Sequence, residues 1–105
     1  VALRPAERRL VAVTPELEEV MSRSRELERA LAAFEPDRGV LDGRTVSITA
    51  SLEDRVADVD RQLEVIDLLE ASVRRQQALR LWRERVGLLD ALVDVHVTGA
   101  RYVGF

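Results

Sequence analysis

Between Ser51 and Val97 the chain runs for forty-seven residues without a proline, and Gly87 is its only glycine. Proline removes a backbone donor and collides with the preceding turn, and glycine in a helix interior costs about 1 kcal/mol relative to alanine. With almost nothing to interrupt it, this stretch reads as one long amphipathic helix over 51–97, or two abutting helices. The rest of the chain packs onto it or leads into it.

Its apolar residues fall on two stripes. One runs Leu52, Val56, Val59, Leu63, Ile66, Glu70 and Val73, in alternating steps of four and three. The other runs Val65, Leu68, Ser72, Arg75, Leu79, Trp82, Val86, Leu89, Val93 and His96. Offset by one residue, they lie about 100° apart on a helix, and each calls for its own neighbour. Beyond residue 78 the face widens through Leu81, Leu88, Leu92 and Val95.

A second helix-forming run precedes this one. Thr14 is a capping residue, Pro15 suits the first helical position, and Glu16, Glu18 and Glu19 favour the positive end of the helix dipole. Leu17, Val20, Ser24, Leu27, Leu31 and Phe34 then mark a heptad seam, with Met21 and Ala30 widening it. Pro36 ends the run, because the residue before a proline is driven out of the α region. Helix one is thus expected over 15–34.

Residues 1–13 read as an N-terminal tail, either irregular or with a short helix from Pro5 to Val11. Residues 35–50 read as a linker with turns at Asp37-Arg38-Gly39 and Asp42-Gly43 and an extended Val46-Ser47-Ile48-Thr49. Thr49 or Ser51 would cap the long helix, Gly99 would stop it, and 98–105 would form a tail. The whole is one all-α domain: a helical hairpin with one very long second helix, coiled-coil-like, in an oligomeric helix bundle.

The oligomer follows from length. A continuous helix over 51–97 would measure about 70 Å and helix one about 30 Å, at 1.5 Å per residue. The uncovered apolar face would exceed the few hundred Å² that a monomer exposes. A homodimer or homotetramer, or another protein partner, is expected to cover it, with Leu79, Trp82, Val86, Leu89, Val93, Arg74 and Arg75 at the interface. Charge arrangement agrees: residues 51–70 carry seven acids against Arg55 and Arg61, and 71–85 carry five arginines against Glu84. Antiparallel pairing of two copies would set acidic half against basic middle. The competing arrangement breaks the helix near residue 77, although Val73 to Trp82 contains no turn residue.

Little chemistry is on offer. The chain has no cysteine, so no thiolate site can be assembled, and with one histidine, His96, no Ser/His/Asp or Cys/His set is assigned. His96 has no partner spacing for a metal. Asp60, Glu64 and Asp67 form an acidic ridge that reads as a solvated or arginine-paired face, and Trp82 falls on the apolar stripe as a packing anchor. Gly87 and Ala91 are spaced to allow two helices a close approach. No catalytic, cofactor-binding or metal residue is assigned, and an enzyme is not expected. The net charge of −3 runs against a nucleic-acid binder.

Leu52-Glu53-Asp54-Arg55, Leu81-Trp82-Arg83-Glu84-Arg85-Val86 and Leu88-Leu89-Asp90-Ala91-Leu92-Val93 resemble the C-terminal helical region of membrane-anchored, anti-sigma-factor-like proteobacterial proteins. The resemblance covers residues 10–97 and implies a periplasmic, non-enzymatic sensing or assembly domain. On it, the expected role is an oligomerisation and regulatory module, the extracytoplasmic part of a protein anchored upstream of Val1. Arg4, Arg8 and Arg9 suit a position beside a membrane, but such charges favour the cytoplasmic side, which is the alternative compartment. The alternative role is an adaptor that docks a partner helix along residues 78–97.

Overall fold

A computed structural model describes residues 14–34 and 43–103, with side chains through Thr98. The described residues form three α-helices, α1 (Pro15–Phe34), α2 (Gly43–Glu64) and α3 (Ala71–Val103), with a 3-10 turn at Ile66–Leu68 between the last two. The readings of residues 1–13, 35–42 and the final aromatic residues lie outside the described residues.

α1 has the bounds expected of it. Thr14 Oγ1 accepts the Leu17 amide at 3.1 Å, which satisfies one of the orphan donors of the first turn, and the Thr14 carbonyl accepts the Glu18 amide at 2.9 Å as the first bond of the helix.

The long second helix is corrected in three places. First, it is broken, at residues 65–70 and not near 77, where α3 is continuous. Leu68 and Leu69 donate to the carbonyls of Val65 and Ile66, both at 3.1 Å, and Leu69 is then extended at φ −84°, ψ 159°. Second, α2 begins at Gly43, so the segment read as an extended Val46–Thr49 is helical. Thr45, Thr49, Leu52, Val56, Val59 and Leu63 make one unbroken stripe of fours and threes, buried or half-buried throughout. The two threonine methyl groups extend the apolar seam backwards, and that packing overrides β-propensity. Val46 and Ile48, read as facing one way on a strand, point about 200° apart on a helix, and both are exposed. Third, α3 continues through Gly99 to Val103.

The break has a physical cause. On one straight helix the first stripe would continue onto Arg80, Glu84 and Gly87, all of which are exposed. Interrupting the helix where the stripes overlap lets α2 fold back, so that its stripe faces the apolar side of α3. Val59, Ile66, Leu81 and Leu88 form one buried cluster between α2 and α3, flanked by Leu52, Val56, Leu63 and Ala78. Leu27, Leu89 and Leu92 form a second, between α1 and α3. Arg83 meets Glu16 at 3.0 Å and Arg23 meets Asp90 at 3.5 Å; both pairs are 67 residues apart in sequence, so α1 runs parallel to α3. α2 runs antiparallel to both. The result is a rod of 63 × 20 × 18 Å.

This arrangement overturns the expectation that residues 78–97 present an open apolar groove. Leu81, Leu88, Leu89 and Leu92 are between 3% and 7% exposed, covered by α1 and α2 of the same chain. Among the described residues no helix is long and apolar enough to cross a membrane.

Two residues sit in α-helices against local preference. Gly87 is exposed in α3, and an added Cβ there would meet nothing within 4 Å, so it serves no close helix approach within the chain. Gly87→Ala should therefore raise unfolding stability by about 0.5–1 kcal/mol. Thr49 is buried and its hydroxyl oxygen has no hydrogen-bond partner. Thr49→Val keeps the shape and removes the unpaired group, for a gain of about 1 kcal/mol. Urea denaturation measures both; a lowered midpoint in either variant would contradict this account.

Candidate functional site

Two features of the bundle are candidates for function: a charged hub between the three helices and an apolar corner at one end.

The hub is built on Arg85. On α3 the buried line runs Leu81, Arg85, Leu88, Leu92, His96, so the guanidinium occupies a position where an aliphatic side chain is due. Its side chain is only 12% exposed. Arg85 Nε donates to Asp60 Oδ1 on α2 at 2.7 Å, while Nη2 reaches Oδ2 at 3.5 Å. Nη1 donates to Ser24 Oγ on α1 at 2.7 Å and pairs with Glu28 Oε1 at 2.5 Å. The guanidinium also lies 5.8 Å from the centre of the Trp82 ring. Burial works against the charge, but the hydrogen bonds and charges of Asp60, and after it Glu28, outweigh that and hold the Arg85 pKa above its usual value. The cation is thus permanently charged, and Nε, Nη1 and Nη2 all reach partners on the other two helices. It can fix the mutual position of three helices, and a group held in the charged form is not suited to moving a proton.

The corner lies where α2 turns into α3. Leu68 is 84% exposed, and Val65, Leu69 and Val73 stand beside it at 56%, 41% and 42%. Glu64, Asp67 and Glu70 flank these residues on the α2 side and the turn, and Arg74 and Arg75 on the α3 side. Glu70 supplies the carbonyl that accepts the Arg74 amide at 2.7 Å, so α3 starts on a residue type that is not a favoured cap.

The residues expected at an interface are distributed differently. Leu89 is inside, packed with Leu27 and Leu92; Val86 and Val93 pack against the same cluster. Leu79 and Trp82 are half-buried on α3. Of these five, Leu89 is fully inside and the other four are half-buried beside helices of the same chain. Of the seven, Arg74 and Arg75 stand closest to the corner, the first half-buried and the second exposed. The acidic ridge is also divided: Asp60 is bound to Arg85, Glu64 ends α2 and Asp67 lies in the 3-10 turn. His96 is buried and stacks on Phe34 with ring centres 5.6 Å apart and planes 9° from parallel. Among the described residues no group of three His, Cys, Asp or Glu side chains is placed to hold a metal ion.

Neither the hub nor the corner stands out by residue type. The available signal for the hub was an interruption of pattern, Ser24 within the α1 seam and Arg85 between Leu81 and Leu88. For the corner it was the overlap of two stripes. Comparison with protein-family models, with curated proteins and with solved structures finds no match.

Arg85→Met should lower stability by about 1–3 kcal/mol, less than a fully buried pair would cost, because Asp60 and Glu28 remain 43% and 46% exposed. Replacing all three groups together, by Glu28→Gln, Asp60→Asn and Arg85→Met, should recover most of that loss. Denaturant midpoints decide it: a single Arg85→Met variant as stable as the parent would show the hub to be energetically silent.

Proposed function

We propose that this chain is a non-catalytic interaction module, a stiff three-helix rod that presents the α2–α3 corner to another polypeptide. One observation carries the reading. Four neighbouring apolar side chains, Val65, Leu68, Leu69 and Val73, are exposed at the corner, while the chain has aliphatic residues enough to fill its core elsewhere. Exposed apolar residues grouped within one turn and flanked by charge are the usual character of a protein contact surface. The hub supports it from within, since charge and hydrogen bonds from all three helices meet at Arg85 and resist sliding of one helix along another.

The compartment and the regulatory role belong to the same proposal. We take the module to be the extracytoplasmic part of a membrane-anchored protein, as the resemblance of its helical motifs implies. Its mechanism would be association at the corner that fixes the spacing of whatever the rod is joined to.

A photo-crosslinking residue in place of Leu68 tests the reading in cells, with the same residue in place of exposed Arg29, on the far part of α1, as reference. A discrete crosslinked protein species at position 68, stronger than any at position 29, is the expected outcome. Equal or absent crosslinking at the two positions would remove the corner as a contact surface.

A further inference from the structure

Resting on the reading that the corner is the contact surface, we propose that its occupant is the same corner of a second copy, in a tip-to-tip two-fold dimer. The argument is charge complementarity. Glu64 ends α2, Asp67 lies in the 3-10 turn, and Glu70 sits directly before α3, whose first turns carry Arg74 and Arg75, so at this end of the rod the α2 side closes on acids and the α3 side carries the arginines. Among the described residues none of these five side chains takes part in an ion pair, whereas arginines further along α3 do: Arg80 with Glu84, Arg83 with Glu16, Arg85 with Glu28 and Asp60.

Geometry then selects one arrangement. A two-fold axis normal to the plane of α2 and α3 sets each α2 end against the partner's α3 start. Acids then face arginines twice over, as an isologous contact requires. An axis lying in that plane across the rod would set acids against acids and is disfavoured. In the chosen arrangement Leu68 and Leu69 meet at the centre with the charges as a rim. The end of the rod is only 20 × 18 Å, so the contact is small, and the association is reversible and salt-sensitive.

Sedimentation of the purified chain over a range of concentrations should show a monomer–dimer equilibrium that shifts towards monomer as salt is raised. X-ray scattering of the dimer should show a long dimension nearly double the 63 Å of one rod. Leu68→Glu should leave only monomer. The pair Arg74→Glu with Arg75→Glu, and separately Glu64→Arg with Asp67→Arg, should each weaken self-association about tenfold. An equimolar mixture of the two reversed proteins should form a heterodimer more readily than either forms a homodimer. All these positions lie outside the buried clusters, and circular dichroism verifies the helices of each variant. A chain that stays monomeric at every concentration, a dimer without the doubled length, or reversed proteins that do not prefer each other would overturn the two-fold pairing. If the chain is monomeric yet position 68 crosslinks to a different protein in cells, self-pairing falls and the interaction reading stands; monomer with no crosslink removes both.

Discussion

Two apolar stripes offset by one residue cannot both face one interior while they share a straight helix, and the bundle is organised by how the chain escapes that conflict. The first stripe belongs to α2 and the second, with its flank at Leu81, Leu88 and Leu92, to α3. Six residues, 65–70, separate the helices and allow the two faces to turn towards each other. α1 then closes the remaining side of α3, with Leu27 on Leu89 and Leu92. Without the break, the Leu81 and Leu88 side of α3 would have no cover from its own chain. With it, α3 acts as a spine that both other helices touch on adjacent faces, as helices at ordinary packing distances can do.

Arg85 stands at the point where the three helices come together, and its role is one of alignment more than of strength. Exchanging a well-paired buried ion for an aliphatic group of similar size is often neutral or favourable, whereas breaking such a pair is costly. Leucine clusters tolerate small slips between helices. A guanidinium held by Asp60 on α2 and by Ser24 and Glu28 on α1 does not, because each donor has a fixed direction. The outer pairs, Arg83–Glu16 and Arg23–Asp90, are exposed and contribute little energy, but they repeat the same register along α1 and α3.

The legibility of this fold varied with the kind of signal each element carries. α1 was written in local chemistry at both ends, Thr14-Pro15-Glu16 and Glu35-Pro36, and its limits could be read directly. The start of α2 was not, because Val46, Ile48 and the threonines resemble a strand by type while Thr45 and Thr49 belong to a helical seam by position. The break at 65–70 contains neither glycine nor proline and no residue of positive φ, so no local punctuation announces it. Only the change of stripe phase marks the place. The same limit hid Arg85: a charged residue on a core line has no local signature until the acids opposite it are known. The cover that α2 gives to α3 goes unread for a related reason, since the sequence reads α2 as part of the same helix.

The phase change also accounts for which residues the corner exposes. Val65 and Leu68 open the second stripe, but they precede α3 and so fall in the turn, away from the face that the stripe later buries. Val73 closes the first stripe, but it follows the break and so sits on the solvent side of α3. Ile66, also of the first stripe, still reaches the α2–α3 cluster. The corner is therefore made of the residues stranded between two registers. Stranding by itself gives no reason for them to stay apolar: at 84% exposure a polar residue in place of Leu68 would cost the core nothing. What the bundle does not require at this end, the proposed partner surface would, and opposite charges on the two flanks would give that surface a direction as well as an affinity.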